Sequence, residues 1–250
     1  VKRPEYHKNY GTWFLNDVHR AIKRYTMIYD NETVIVGLSG GKDSMVLLWI
    51  LSYLSRFSHL HFTLHAAHVR TAEYSTAVLH DFCEALQVPY HEVTIQSNSV
   101  ASEKLSCSLC SRLKRGALSR LLHQQDASCL AYGHHADDAA QTLLMNMIYN
   151  RKLGSFSPVV RYADNPLRVV RPMIYLSEKT ISQLHAYWQL PVLQWKCPHD
   201  DTTSRSTAAQ ALTRLGQQFG VADVSQRLVY GLEHLDTKNV WSDNAQPEND

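Results

Sequence analysis

The stretch Val34-Ile35-Val36-Gly37-Leu38-Ser39-Gly40-Gly41-Lys42-Asp43-Ser44 constrains this chain more than any other. An apolar run of buried-strand type gives way to a small-residue loop, and an apolar helical pattern follows over residues 44–55. Three of the ten glycines, Gly37, Gly40 and Gly41, fall within five residues of each other. A strand, a glycine loop and a helix start in that order aim backbone amides at an anion, and the helix dipole favours phosphate there. Lys42 adds charge, and Ser39 and Ser44 add hydroxyl donors. The spacing is neither G-x-x-x-x-G-K-[ST] nor G-x-G-x-x-G, so the two commonest nucleotide loops are excluded.

Ahead of the loop, residues 12–29 place Phe14, Val18, Ile22, Tyr25 and Tyr29 at helical steps and predict an amphipathic helix. Beyond it, strand patterns at 60–68, 90–95 and 129–133 alternate with helical patterns at 73–86, 110–124 and 137–150. That alternation predicts an α/β fold, a doubly wound parallel sheet with an N-terminal helix and a C-terminal helical extension. Residues 153–172 carry Pro158, Pro166 and Pro172 and read as irregular. Ser177 is placed to cap a helix, with further helical patterns at 206–217 and 224–234. The expected division is a helical lead-in over 1–30, the α/β domain over 31–175, a helical region over 176–235 and an acidic, loose tail over 236–250.

Composition narrows the function classes. Hydrophobic residues make up 44% and charged residues 19%, enough for a sizeable core, and no run of eighteen apolar residues predicts a membrane span. The first ten residues lack a signal-peptide core and an initiating Met, which suggests a trimmed, unexported chain. Five cysteines with one C-x-x-C point to a reducing, cytoplasmic compartment and to metal or thiol chemistry rather than disulfides. The net charge is only +2, yet residues 104–172 hold ten Lys or Arg against four acids and leave the remainder net acidic. A basic stretch of that kind suits a phosphate-contacting face. Arg112, Arg115, Arg120, Arg151, Lys152, Arg161, Arg168 and Arg171 are its candidates.

Cys107 and Cys110 open a helical pattern three residues apart, so both sulfurs can face one ion where a helix N-terminus favours thiolate. Cys83 and Cys129 sit in apolar helix and strand patterns and read as inert core thiols. Cys107, Cys110, Cys197 and His199 would also make a Cys3His zinc set by ligand type. Asp137 and Asp138 open the helix after a strand ending at Gly133, where open parallel sheets place ligands. Carboxylates there also serve as ordinary helix caps. None of the histidines forms HExxH, and His59, His61 and His65 read as surface or sheet-edge groups.

The loop Ser39-Gly40-Gly41-Lys42-Asp43-Ser44 resembles the PP-loop of ATP pyrophosphatases, which split ATP into AMP and pyrophosphate while adenylating a carbonyl oxygen. The resemblance continues through residues 107–116 (CSLCSRLKRG) and 133–142 (GHHADDAAQT), and these are similar to the tRNA 2-thiocytidine synthetase (TtcA) family of PP-loop thiolases over about residues 14–215. It implies ATP-dependent thiolation of tRNA, with ATP and Mg²⁺ bound by Ser39, Gly40, Gly41, Lys42, Asp43, Ser44, His68, Gly133 and His134. It implies Asp138, Lys114 and Asp43 as catalytic residues. It further implies a 4Fe-4S cluster on Cys107, Cys110 and Cys197, the fourth iron left open for sulfur. Some members carry a second C-x-x-C; here Cys197 stands alone before Pro198, as in a Cys-Pro branch. The implied partners are tRNA and a sulfur donor, either a cysteine desulfurase or sulfide, with a homodimer left open and no membrane. Two rivals stand beside this reading: a C–N ligase of lysidine type, and a metal-containing RNA-binding module without catalysis.

Overall fold

A computed structural model describes residues 3–95, 107–162, 165–195 and 203–235. One π-turn, Gly11–Leu15, runs into α1 (Asn16–Tyr25); then follow β1 (Glu32–Leu38), α2 (Lys42–Phe57), β2 (Phe62–Arg70), α3 (Ala77–Ala85), β3 (Tyr90–Thr94) and α4 (Cys107–Gln124). The chain continues through β4 (Cys129–Ala131), α5 (Ala136–Asn150), β5 (Val159–Tyr162), β6 (Asn165–Val170), α6 (Glu178–Trp188), α7 (Thr203–Phe219) and α8 (Val224–Glu233). The six described strands form one sheet in the order β3-β2-β1-β4-β6-β5, parallel except for β5.

β1 is buried from Val34 to Leu38 because strands flank it on both sides and helices cover both faces. The same enclosure explains α2, where every residue from Ser44 to Leu54 is buried. On the α2 face an aromatic knot closes the core. Trp49 stacks on Trp188 of α6 at 3.5 Å between centroids, and the Trp188 indole N–H donates to the Tyr10 hydroxyl at 3.2 Å. On the other face α4 lays Ala117, Leu118, Leu121 and Leu122 over Ile35, Ala67, Leu130 and Val169.

Three sequence expectations need correcting. The first helix stops at Tyr25 rather than running to residue 29: Thr26 turns left-handed (φ 49°), and the Met27 amide returns to the Ile22 carbonyl. Tyr29 is consequently exposed, its ring 4.1 Å beneath the Arg168 guanidinium. Residues 153–172, read as irregular, hold β5 and β6. Pro166 sits near the start of β6, where a missing N–H is tolerated, and Arg168 interrupts the apolar pattern. That arginine is buried because two of its bonds reach Glu32 at 2.6 and 2.5 Å and a third reaches the Met27 carbonyl at 3.0 Å. It is therefore a clamp across the base of the sheet rather than part of an RNA-facing surface.

No described helix is long and apolar enough to cross a membrane. β1 and β4 are parallel neighbours, with Val36 level with Ala131. From β1 the sheet continues to β2, and from β4 to β6, so the crevice at their carboxyl ends is the switch point where such sheets hold ligands.

Candidate active site at the carboxyl ends of β1 and β4

β1 delivers the chain into Ser39, Gly40 and Gly41, and α2 begins at Lys42. Gly40 has φ +85°, and a Cβ there would lie 2.5 Å from the Leu193 side chain. Glycine is therefore required twice, by backbone conformation and by crowding. The Ser39 hydroxyl accepts from the Gly41 amide at 3.2 Å, and the Ser44 hydroxyl donates to the Gly41 carbonyl at 2.9 Å. These bonds hold the loop open, while helix geometry leaves the first amides of α2 without carbonyl partners. An anion fits there.

β4 delivers the second half of the crevice. Gly133 lies against the loop so closely that a Cβ would come within 2.9 Å of the Asp43 backbone. The strand ends at Ala131, so His134 and His135 stand in the connection and not on a strand. His135 caps α5: its amide donates to Asp138 Oδ2 at 3.1 Å, and its buried ring lies 3.4 Å from the same oxygen and 4.0 Å from Asp43 Oδ1. Asp43 Oδ1 is buried and receives no hydrogen bond, although Lys42 Nζ is 3.2 Å away. A buried carboxylate oxygen of this kind suits a divalent cation beside phosphate. Lys42 also reaches Glu178 at 3.1 Å, and Asp138 Oδ1 accepts from Arg205 at 3.1 Å. Burial acts to lower the Lys42 pKa, but Asp43 and Glu178 outweigh it and hold the ammonium above its usual value.

The predicted site residues divide as follows. Ser39 through Ser44, Gly133 and Asp138 gather around the crevice, as does His135, which the sequence reading did not select. Its adjacency to His134 hid it, since only the point where β4 ends decides which ring turns inward. His134 instead faces Tyr132 and Phe156, with ring separations of 5.8 and 5.2 Å. His68 ends up beneath the loop with both nitrogens engaged. A carbonyl can only accept, so Nδ1–H donates to Leu38 at 2.8 Å and Nε2 accepts from the Tyr74 hydroxyl at 2.9 Å. Burial lowers the His68 pKa, consistent with that neutral tautomer, and the nearby charge of Lys114 on α4 adds to the effect.

Tyr74 links this corner to the thiols. Its ring stacks on Trp195 at 4.5 Å, and it lies near enough to Cys110 for a thiolate there to disfavour its ionisation, a small addition to the effect of burial. Residues 190–195 form a strap over the loop, in which the Leu193 amide donates to the Gly40 carbonyl at 2.9 Å. Cys110 is half-buried and free, one turn after Cys107 on α4. In contrast, Cys83 and Cys129 are buried in the core, which pushes both thiols up to about 12. The Cys107 side chain, Cys197 and His199 lie outside the described residues. Cys110, a half-buried free thiol in the first turn of α4, is a soft donor of the kind taken by a metal or cluster that selects thiolates.

A strand-loop-helix phosphate cradle facing a second helix start, both at a sheet switch point, is the arrangement of a nucleotide-binding α/β protein. The PP-loop domain family matches residues 14–212. A tRNA-cytidine(32) 2-sulfurtransferase of Idiomarina loihiensis is 35% identical over 211 residues, covering 81% of this chain and 70% of that protein. The protein of the same name from Bdellovibrio bacteriovorus is 37% identical over 180 residues, 70% of each chain. The chain belongs to the PP-loop family, among the tRNA-cytidine(32) 2-sulfurtransferases. The fold is also that of the U34-tRNA thiolase NcsA from Methanococcus maripaludis, solved with its 4Fe-4S cluster (TM-score 0.72, 22% identity, 88% of this chain and 79% of that one).

Proposed function

We propose that this chain is an ATP-dependent tRNA sulfurtransferase that exchanges oxygen for sulfur at C2 of cytidine 32. The reading is supported most by one observation: His68, bonded to the Leu38 carbonyl just before the phosphate loop, is bonded in turn to Tyr74, which lies near the Cys110 thiol of α4. The amides of Gly40, Gly41 and the first turn of α2 hold the ATP phosphates, Lys42 neutralises them, and Asp43 carries Mg²⁺. The C2 oxygen of the base attacks the α-phosphorus, and pyrophosphate leaves with the electron pair of the broken P–O bond. Sulfide sulfur then forms the C2–S bond, and AMP departs with the original oxygen. Adenylation makes that oxygen a leaving group, and the protein contributes positioning and charge compensation.

Asp138, held by His135 and Arg205, takes the proton that sulfide loses, and Lys114 steadies the negative charge of the incoming sulfur. Cys107, Cys110 and Cys197 would hold the 4Fe-4S cluster, which supplies an iron for the sulfur to be transferred. Residues 31–175 thus contribute the loop, Asp138 and two thiols, and 176–235 the third. The sulfur comes from sulfide or a cysteine desulfurase, in the cytoplasm where tRNA matures.

The test is anaerobic incubation of the protein with ATP, Mg²⁺, sulfide and tRNA, followed by mass analysis of the nucleosides. AMP, pyrophosphate and 2-thiocytidine should all appear and should all require tRNA. AMP formation with an amine joined to the base would instead make it a C–N ligase. Binding of tRNA without AMP would leave a non-catalytic module.

A further inference from the structure

The structure sorts the arginines of the basic stretch by what they already hold. Arg168 is committed to Glu32, and Arg161 donates to the Tyr25 and Thr26 carbonyls at 3.3 and 3.2 Å. Arg171, immediately after β6, has no carboxylate partner among the described residues. Its Nη1 donates to the Ser157 carbonyl at 2.6 Å and its guanidinium lies 4.8 Å above the Phe156 ring, but Nε is buried without an acceptor. Burial lowers its pKa, as expected of a cation stripped of water with no counter-charge.

His134 packs against the same ring, and its Nδ1 is likewise buried and unbonded. Desolvation lowers its pKa to about 4, with the charge of Arg171 adding to the effect, so the ring is neutral and free to carry its proton on Nδ1. Arg115, exposed on α4, is close enough to disfavour the charge on Arg171 and carries the positive field to the surface. Two orphaned donors and a rim cation, one residue from Gly133, are costly to assemble unless an anion completes them.

We propose that Arg171 Nε and His134 Nδ1, with Arg115 at the rim, form a phosphate subsite that takes a backbone phosphodiester of the substrate RNA beside the base under modification. The proposal rests on the tRNA reading above. The phosphates of ATP are a less fitting occupant, because the α2 start serves them from the Asp43 side, which His135 faces and His134 does not.

The test measures tRNA affinity over a range of salt concentrations, without nucleotide, and ATP affinity by calorimetry, for the wild type, Arg171→Gln and Arg171→Lys. Arg171→Gln should weaken tRNA binding about tenfold or more. It should also reduce the slope of log affinity against log salt by about one, while leaving ATP binding unchanged. Arg171→Lys should keep most of the slope. A folded Arg171→Gln protein with wild-type affinity and slope overturns the proposal, as does a loss confined to ATP. If Arg171→Gln does not fold, Arg115→Gln carries the test, and an unchanged slope in that variant overturns the proposal equally. Failure of the wild type itself to bind tRNA would instead sink the sulfurtransferase reading.

Discussion

Asp137 and Asp138 are adjacent in the first turn of α5 and do different work. Asp137 accepts from the Glu178 amide at 2.7 Å and the Ser225 hydroxyl at 2.8 Å, tying α6 and α8 to α5. Asp138 bonds to the His135 amide within the same cap and to Arg205 of α7. Asp137→Ala should therefore cost about 1–2 kcal/mol in urea unfolding through the lost cap. Asp138→Asn should leave the unfolding midpoint in place and stop thiolation. Position alone could not separate the two, because both occupy sites where a carboxylate is ordinarily a cap; only the family resemblance singled out Asp138. His134 makes a second prediction at this scale. Its folded pKa of about 4 lies below the usual 6.5, so between those values the unfolded chain binds a proton that the folded chain refuses. Stability should fall as pH drops from about 6.5 to about 4 and lose this dependence below that. His134→Gln should flatten the profile, measured as urea midpoint against pH.

Among elements, the local ones were legible and the distant ones were not. The β1-loop-α2 unit and the start of α5 announce themselves by apolar runs, glycine and caps within a few residues. β6 did not, since prolines surround it and Arg168 breaks its pattern, and its burial depends on a partner far back in the chain, Glu32 of β1. The strap of residues 190–195 has no periodicity at all. Its meaning lies in the bond from Leu193 to Gly40 and in Trp195 on Tyr74. Gly40→Ala should accordingly damage two things together. A left-handed backbone forced on alanine costs about 1–2 kcal/mol, and the new methyl displaces Leu193. Calorimetry should show ATP affinity lost, and adding Leu193→Ala should not restore it, because the backbone strain remains and alanine keeps the Cβ that lies 2.5 Å from the new methyl.

At the scale of the whole molecule, the thiols divide by depth. Cys110 is half-buried at the start of α4, whereas Cys83 and Cys129 are sealed in the core. Anaerobically purified Cys107→Ala, Cys110→Ala and Cys197→Ala proteins should each lose iron and visible absorbance. Cys83→Ala and Cys129→Ala should keep the iron and lose on the order of 1 kcal/mol of stability. His199→Ala should keep its iron too, and a colourless protein with one zinc would make the site Cys3His. The strand order carries a consequence for how the protein is made. β1 lies in the middle of the sheet, yet its neighbour β4 is not synthesised until residues 129–131. A nascent chain that has only reached β3 can pair β1 with β2 and cover one face with α2, but the other edge of β1 stays open. An unpaired apolar edge of this kind recruits stray strands. For the interval between β3 and β4 the emerging polypeptide is thus most exposed to aggregation along the strand that will later present the nucleotide loop, and shielding on the ribosome matters most there.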